Sequence, residues 1–268
     1  MTTAAAQAHP VEDILLRHDA GGVATLTLNR PDQFNALSEA MLSALGDALA
    51  DLAEDASVRV VVLAANGRAY SAGHDLKEMR ATPEQGYYET LFAKCSRMML
   101  DMVRLPKPVI ARVQGLATAA GCQLVANADL AVASTEARFA TSGINNGIFC
   151  MTPGVALSRN LGRKRAFEML FTGDFISADE ALEAGLVNRV APPGQLDAAV
   201  AELAASISTK SAAAIAAGKR VFYAQLEKDL ESAYDYASKE MACNMMFEDA
   251  SEGVDAFIGK RKPVWKDQ

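Results

Sequence analysis

The sequence predicts an α/β fold with a helical C-terminal region, and three observations predict it. Short apolar runs alternate with helical stripes as far as residue 189. The strongest of these runs is continuous rather than alternating, which suits a parallel sheet covered on both faces. Beyond residue 189 strand-like runs stop, and Ala, Glu, Lys and Met dominate.

The elements follow in order. Residues 23–28 alternate and are rich in β-formers, and they run into Asn29-Arg30-Pro31, so a strand leads into a turn. Ser38 then precedes Leu42, Leu45, Leu49 and Leu52, a spacing of three and four that marks one helix face with Ser38 as its N-cap. The run VRVVVLA at 58–64 reads as a buried strand closed by Asn66-Gly67. An amphipathic helix at 87–104 ends at Pro106 and Pro108. Residues 109–113 form a strand closed by Gly115, 124–127 a helix, and 130–133 another strand. Strand–helix alternation of this kind implies right-handed crossovers. Ser177 and Glu180 make a capping box opening the helix DEALEAG. Three or four helices fill residues 195–258. The expected organisation is a frayed start at 1–13, a core at 14–194 and a helical region at 195–268, with no flexible linker.

The 268 residues are half hydrophobic, enough for one large core. A net charge of −7 argues against nucleic-acid binding, which needs a basic face. Cys95, Cys122, Cys150 and Cys243 form no CxxC pair, and the three histidines show no HxxxH spacing. No metal site is expected, and the thiols are expected to be reduced and mostly buried. No apolar run is long enough to span a membrane. The first ten residues have no basic or apolar segment, and the first Arg or Lys is Arg17, so a cytoplasmic location is expected. No GxGxxG follows an early strand, which disfavours a dinucleotide-binding dehydrogenase.

Two turns carry the chemistry. SAGHDLK at 71–77 follows the buried strand, and QGLATAAGCQ at 114–123 follows the strand at 109–113 and opens a helix. Small residues after a strand let a ligand approach the backbone, and a helix start offers free N–H donors. Two such turns could meet on one developing negative charge, as an oxyanion hole requires, although tight strand-to-helix turns also occur for purely structural reasons.

From about residue 14 to the C-terminus the chain resembles the crotonase (enoyl-CoA hydratase/isomerase) family. The matching pieces are Asn29-Arg30-Pro31, Asn35-Ala36-Leu37-Ser38, the 71–77 turn, Pro108-Val109-Ile110 running into Gly121-Cys122, Phe139, Thr172-Gly173-Asp174, Ala184-Gly185-Leu186-Val187, and Phe257 with Lys260-Arg261-Lys262-Pro263. Within the family, AGHDLKE, LATAAGCQLVA and FCMTPGVAL resemble the branch called enoyl-CoA hydratase domain-containing protein 3. The resemblance implies a right-handed spiral of ββα repeats with a C-terminal helical trimerisation region, assembled as a homotrimer or dimer of trimers. It implies an acyl-CoA thioester as ligand, with coenzyme A entering as part of the substrate and no other cofactor. It makes the backbone N–H groups of His74 and Ala120 the oxyanion donors. It also lays Asp75, Leu76 and Lys77 along the CoA adenine and pantetheine, and makes Lys260 a phosphate contact from this or another subunit.

The same resemblance locates a departure. Family hydratases carry two glutamates, at the positions held here by Gln123 and Gly143. Hydration must take a proton from water and deliver one to the α-carbon. An amide cannot exchange protons at neutral pH, and glycine has no side chain. His74 as a base and Cys150 as a nucleophile are weaker readings, since His74 is committed through its N–H and Cys150 has no visible partner base. Ser142, Asn145 and Asn146 could hold a water or cap turns. Three functions follow: an enoyl-CoA hydratase or isomerase of fatty-acid metabolism, another enolate reaction such as decarboxylation, or a non-catalytic acyl-CoA binder.

Overall fold

A computed structural model describes residues 13–268. Of the frayed start expected at 1–13, all but Asp13 lies outside the described residues.

The chain runs β1 (Leu15–Ala20), β2 (Val23–Leu28), α1 (Glu39–Glu54), β3 (Val60–Ala65), β4 (Ala69–Ser71), α2 (Leu76–Ala81), α3 (Gln85–Arg104), β5 (Val109–Val113), β6 (Leu116–Thr118), α4 (Ala120–Asn127), β7 (Leu130–Ser134) and β8 (Arg138–Ala140). Then come α5 (Met151–Asn160), α6 (Arg163–Thr172), β9 (Ile176–Ser177), α7 (Ala178–Ala184), β10 (Arg189–Ala191), α8 (Leu196–Ser208), α9 (Ala212–Leu226), α10 (Leu230–Asn244) and α11 (Glu248–Ile258). Two sheets result. One has the order β1-β2-β3-β5-β7-β10 and is parallel except for β1 against β2. The other has the order β4-β6-β8-β9, with β9 antiparallel. Successive turns contribute one strand to each sheet (β3 then β4, β5 then β6, β7 then β8), which is the ββα spiral.

Burial explains the elements. All six residues of β3 are buried because both faces of the larger sheet are covered. Val61, Leu63, Val109, Ala111 and Val113 face a core shared with Leu42, Leu45, Leu49 and Leu52 of α1 and Met98 and Met102 of α3. Val60, Val62, Ile110 and Val132 face the other way, onto Leu196, Val200 and Ala204 of α8. Helix α8 therefore packs on the spiral although it follows the composition change at residue 189. Ser38 caps α1 by accepting from the Met41 N–H, and the box of Ser177 and Glu180 opens α7.

Six strands were not anticipated. β1 is polar and largely exposed at a sheet edge, and β4, β6, β8, β9 and β10 have two or three residues each. Segments that short carry no readable period.

Helices α9 to α11 extend from this body. Among them only Ala233, Asp249 and Ala256 are buried. One clamp ties α9 down. Lys219 Nζ donates to Asp129 Oδ2 at 2.7 Å and to the carbonyls of Met102 and Lys107 at 3.0 Å each. Asp129 also accepts from the Tyr223 hydroxyl and the Val109 N–H.

Candidate functional site

Strands β4 and β6 are parallel neighbours, with Ser71 opposite Ala117, so the turns that follow them emerge side by side. These turns carry His74 and Ala120. A Cβ on Gly73 would lie 2.9 Å from the Ala120 nitrogen, 2.9 Å from the Ala119 Cβ and 3.2 Å from the Thr118 carbonyl oxygen. The two turns are thus in contact, and only glycine fits between them, at φ +87°. Gly121 faces the Ser71 carbonyl just as tightly, with 2.1 Å from a Cβ to that oxygen.

The His74 turn is buttressed from behind. The Leu37 N–H donates to the Gly73 carbonyl at 2.8 Å, and the Gly73 N–H donates to Ser71 Oγ at 3.2 Å. Fully buried Asn35 donates through Nδ2 to the carbonyls of Asn66 and Ala69, each at 2.8 Å. Hence the 35–38 segment, distant in sequence, fixes the turn.

The Ala120 turn is strained. Ala119 has φ 51° and ψ −123°, a region that residues with a Cβ avoid at about 1–3 kcal/mol. Its own N–H is anchored to the Ala140 carbonyl at 3.0 Å. Ala120 is the first residue of α4, where an N–H has no intrahelical partner and faces the positive end of the helix. Among the described residues, neither the His74 N–H nor the Ala120 N–H donates a hydrogen bond.

The His74 imidazole lies edge-on to Phe92, with ring centroids 5.4 Å apart and planes at 76°. Both ring nitrogens are buried without a hydrogen-bond partner among the described residues. Burial pushes the imidazole below its ordinary value of 6.5; the Leu37 backbone, outside hydrogen-bonding geometry, works weakly the other way.

Gln123 is 5% exposed and its Oε1 has no partner among the described residues. Gly143 lies in a short 3₁₀ turn, residues 142–146, held against β6 by a 2.7 Å hydrogen bond between the Thr118 and Ser142 hydroxyls. A Cβ at residue 143 would lie 2.6 Å from the Ile148 carbonyl oxygen and 2.8 Å from Cys150 Sγ. The segment 148–154 thus fills the space where a side chain would start. Cys150 precedes α5, and Cys122 sits beside Gln123 on α4. Burial raises both thiols, Cys122 to about 12, so neither is a ready nucleophile.

Asp75 caps α2, accepting from the Lys77 and Glu78 N–H groups at 3.0 and 3.2 Å. Leu76 and Lys77 are exposed on α2 beside the His74 turn. Lys260 lies beyond α11, and no hydrogen bond or ion pair among the described residues joins it to α2. The structure therefore groups His74, Ala120, Asp75, Leu76 and Lys77, and Lys260 makes no hydrogen bond or ion pair with them among the described residues. The strain at Ala119 and the Thr118–Ser142 pair gave no signal in sequence. Nor did the wall at Gly143, because close packing of that kind is a tertiary property.

Residues 18–268 match the family model described as "Enoyl-CoA hydratase/isomerase". A curated relative from Mus musculus, "Enoyl-CoA hydratase domain-containing protein 3, mitochondrial", is 47% identical over 244 residues, covering 91% of this chain and 81% of the relative. A crystal structure of an enoyl-CoA hydratase from Mycobacterium smegmatis is 63% identical with a TM-score of 0.93, covering 95% of this chain and 99% of that one. The human enoyl-CoA hydratase domain-containing protein 3 structure is 44% identical with a TM-score of 0.92, covering 94% and 100%. The branch suggested by AGHDLKE, LATAAGCQLVA and FCMTPGVAL is thereby met. The cytoplasmic expectation is overturned, because the curated relatives of that branch are named mitochondrial. It had rested on the first residues of the sequence, a weak basis for location.

Proposed function

The chain belongs to the enoyl-CoA hydratase/isomerase family, and on that premise we propose that it binds an acyl-CoA thioester and stabilises the thioester enolate through the N–H groups of His74 and Ala120. The observation that carries this reading is the contact between the two turns: Gly73 meets Ala120 N, while both N–H groups remain undonated among the described residues. Preorganised backbone donors of this kind act where charge develops in the transition state. Removing one typically costs about 10²–10³ in rate. Lys77 and Leu76, exposed beside the turn, line the approach of the CoA moiety, and Asp75 contributes by holding α2 in place. Lys260, beyond α11, would reach a CoA phosphate from this or a neighbouring subunit.

A reaction that needs no protein carboxylate is favoured over hydration by one specific observation. Position 143 is walled off by Ile148 O and Cys150 Sγ, and Gln123 presents an amide. Decarboxylation of a malonyl-type thioester generates an enolate directly and fits these residues. Isomerisation, or binding without turnover, are the remaining members of the class. Assembly as a homotrimer or dimer of trimers is supported by the apolar surface left bare on α9 to α11 and the α10–α11 turn, including Met246 in that turn and Phe257 and Ile258 on α11.

The test is to offer crotonyl-CoA and methylmalonyl-CoA to the protein and to Ala120→Pro, with acyl-CoA affinity measured by calorimetry. Consumption of methylmalonyl-CoA that falls at least about 100-fold in Ala120→Pro supports the enolate reading. Rapid hydration of crotonyl-CoA would overturn the preference for carboxylate-free chemistry. Absence of acyl-CoA binding would overturn the whole reading.

A further inference from the structure

At the other end of the smaller sheet, the chain crosses from one sheet to the next three times, and a cavity of about 510 Å³ opens over these crossings. Arg68 lies in the β3–β4 crossing, Arg112 on β5, and Arg138 opens β8. All three line the cavity, so successive turns of the spiral converge three guanidinium-bearing side chains on one space in a chain whose net charge is −7. They are not equivalent. Arg112 is paired with Asp197 at 2.5 Å. Arg68 lies over the Phe34 ring at 4.5 Å, and Arg138 over the Phe175 ring at 5.3 Å. Neither of these two pairs with a carboxylate among the described residues, and stacking holds them in place while leaving their N–H forks free.

Gln114 walls the cavity, and Glu136 supplies an acceptor in it. Gln114 donates its amide N–H groups to the carbonyls of Gly67 and Ala69, at 3.0 and 3.1 Å, which fixes the side chain. Its Oε1 is buried and has no partner among the described residues. Glu136 is the acceptor exposed in the lining.

We propose that this cavity is a binding site for a small hydroxyl-bearing organic anion, a phosphate ester or a hydroxycarboxylate, separate from the thioester site. Arg68 and Arg138 take the anionic group in fork geometry, and Glu136 takes the hydroxyls. Glu136 also opposes a bare, highly charged anion that offers no donor. The volume falls within the range of small-molecule sites, about 300–1,000 Å³. The proposal stands independently of the acyl-CoA reading, because no residue is shared between the two sites.

The test is calorimetric titration of the full chain, saturated with CoA, at pH 8, using ribose 5-phosphate and citrate as probes and methyl phosphate and tricarballylate as their hydroxyl-free controls. Saturable binding of either hydroxylated probe supports the site, and the probe that binds identifies a phosphate or a carboxylate source. Arg68→Gln/Arg138→Gln should weaken it at least about tenfold with unchanged unfolding, and each control should bind more weakly than its hydroxylated partner. Binding by none of the probes at millimolar concentration overturns the proposal. So does binding that the double variant leaves intact, or controls that bind as well as the hydroxylated probes.

Discussion

Cys150 Sγ lies 2.8 Å from the point where a Cβ on Gly143 would stand, and the Ile148 carbonyl oxygen closes the other side at 2.6 Å. The position of one family glutamate is therefore not merely vacant. Gly143→Ala should destabilise the protein by about 1–3 kcal/mol, as overpacking does, read as a lower urea midpoint. Gly143→Glu, alone or with Gln123→Glu, should give no rapid hydration of crotonyl-CoA. Cys150→Ala should restore only part of the stability lost in Gly143→Ala, because the Ile148 carbonyl is backbone and stays.

Ala119 holds φ 51° and ψ −123°, and this strain sets the Ala120 N–H beside Gly73. Ala119→Gly should stabilise by up to about 1 kcal/mol, the relief of strain exceeding the entropy cost of glycine. Ala119→Val should destabilise by more than that and weaken acyl-CoA binding. Urea unfolding and calorimetry read the two effects separately.

His74 gives a pH signature. Burial holds its imidazole below 6.5 in the folded state, so the neutral form is favoured by folding. Stability from this group is complete above about 6.5, the unfolded value, and is lost as pH falls towards the folded value. The slope is at most about 1.4 kcal/mol per pH unit for one proton. Glu180 and Glu252, held near 2 by their hydrogen bonds, lose their contribution only in more acid solution. His74→Leu should flatten the unfolding midpoint just below pH 6.5 and leave the acid limb in place.

The bare apolar surface of α9 to α11 makes assembly testable. Phe257 is 85% exposed and Met246 84%. Phe257→Glu with Met246→Glu should lower the mass found by light scattering to that of smaller species. If the mass is unchanged, these side chains are not interface residues.

How much of this could be read from residues alone depended on the scale of each feature. The leucine stripe behind Ser38, the apolar-rich run at 58–64 and the Ser177–Glu180 box are local patterns; the structure shows the stripe and the box as read and places the strand at Val60–Ala65. The two chemistry-bearing turns were legible because glycine and alanine after a strand mark close backbone approach. The second sheet was not, since Ala69–Ser71, Leu116–Thr118 and Arg138–Ala140 gain their pairing only from one another. Ala119 looked like any helix-start alanine, and Gly143 like any turn glycine. Their meaning comes from neighbours 20 residues away or from segments folded back on them.

The Lys219 clamp bears on the order in which the molecule comes together. Its acceptors are Asp129, at the entry to β7, and the carbonyls of Met102 and Lys107, where α3 hands over to β5. That receptor exists only once β5 and β7 are in register and α3 has settled against the sheet. The Lys219 contacts of α9 therefore need the closed spiral, whereas its packing on α10 and α11 does not. Contacts of such long sequence separation form late and slowly. The helices beyond α9 thus take part of their direction from contacts that only the closed core supplies.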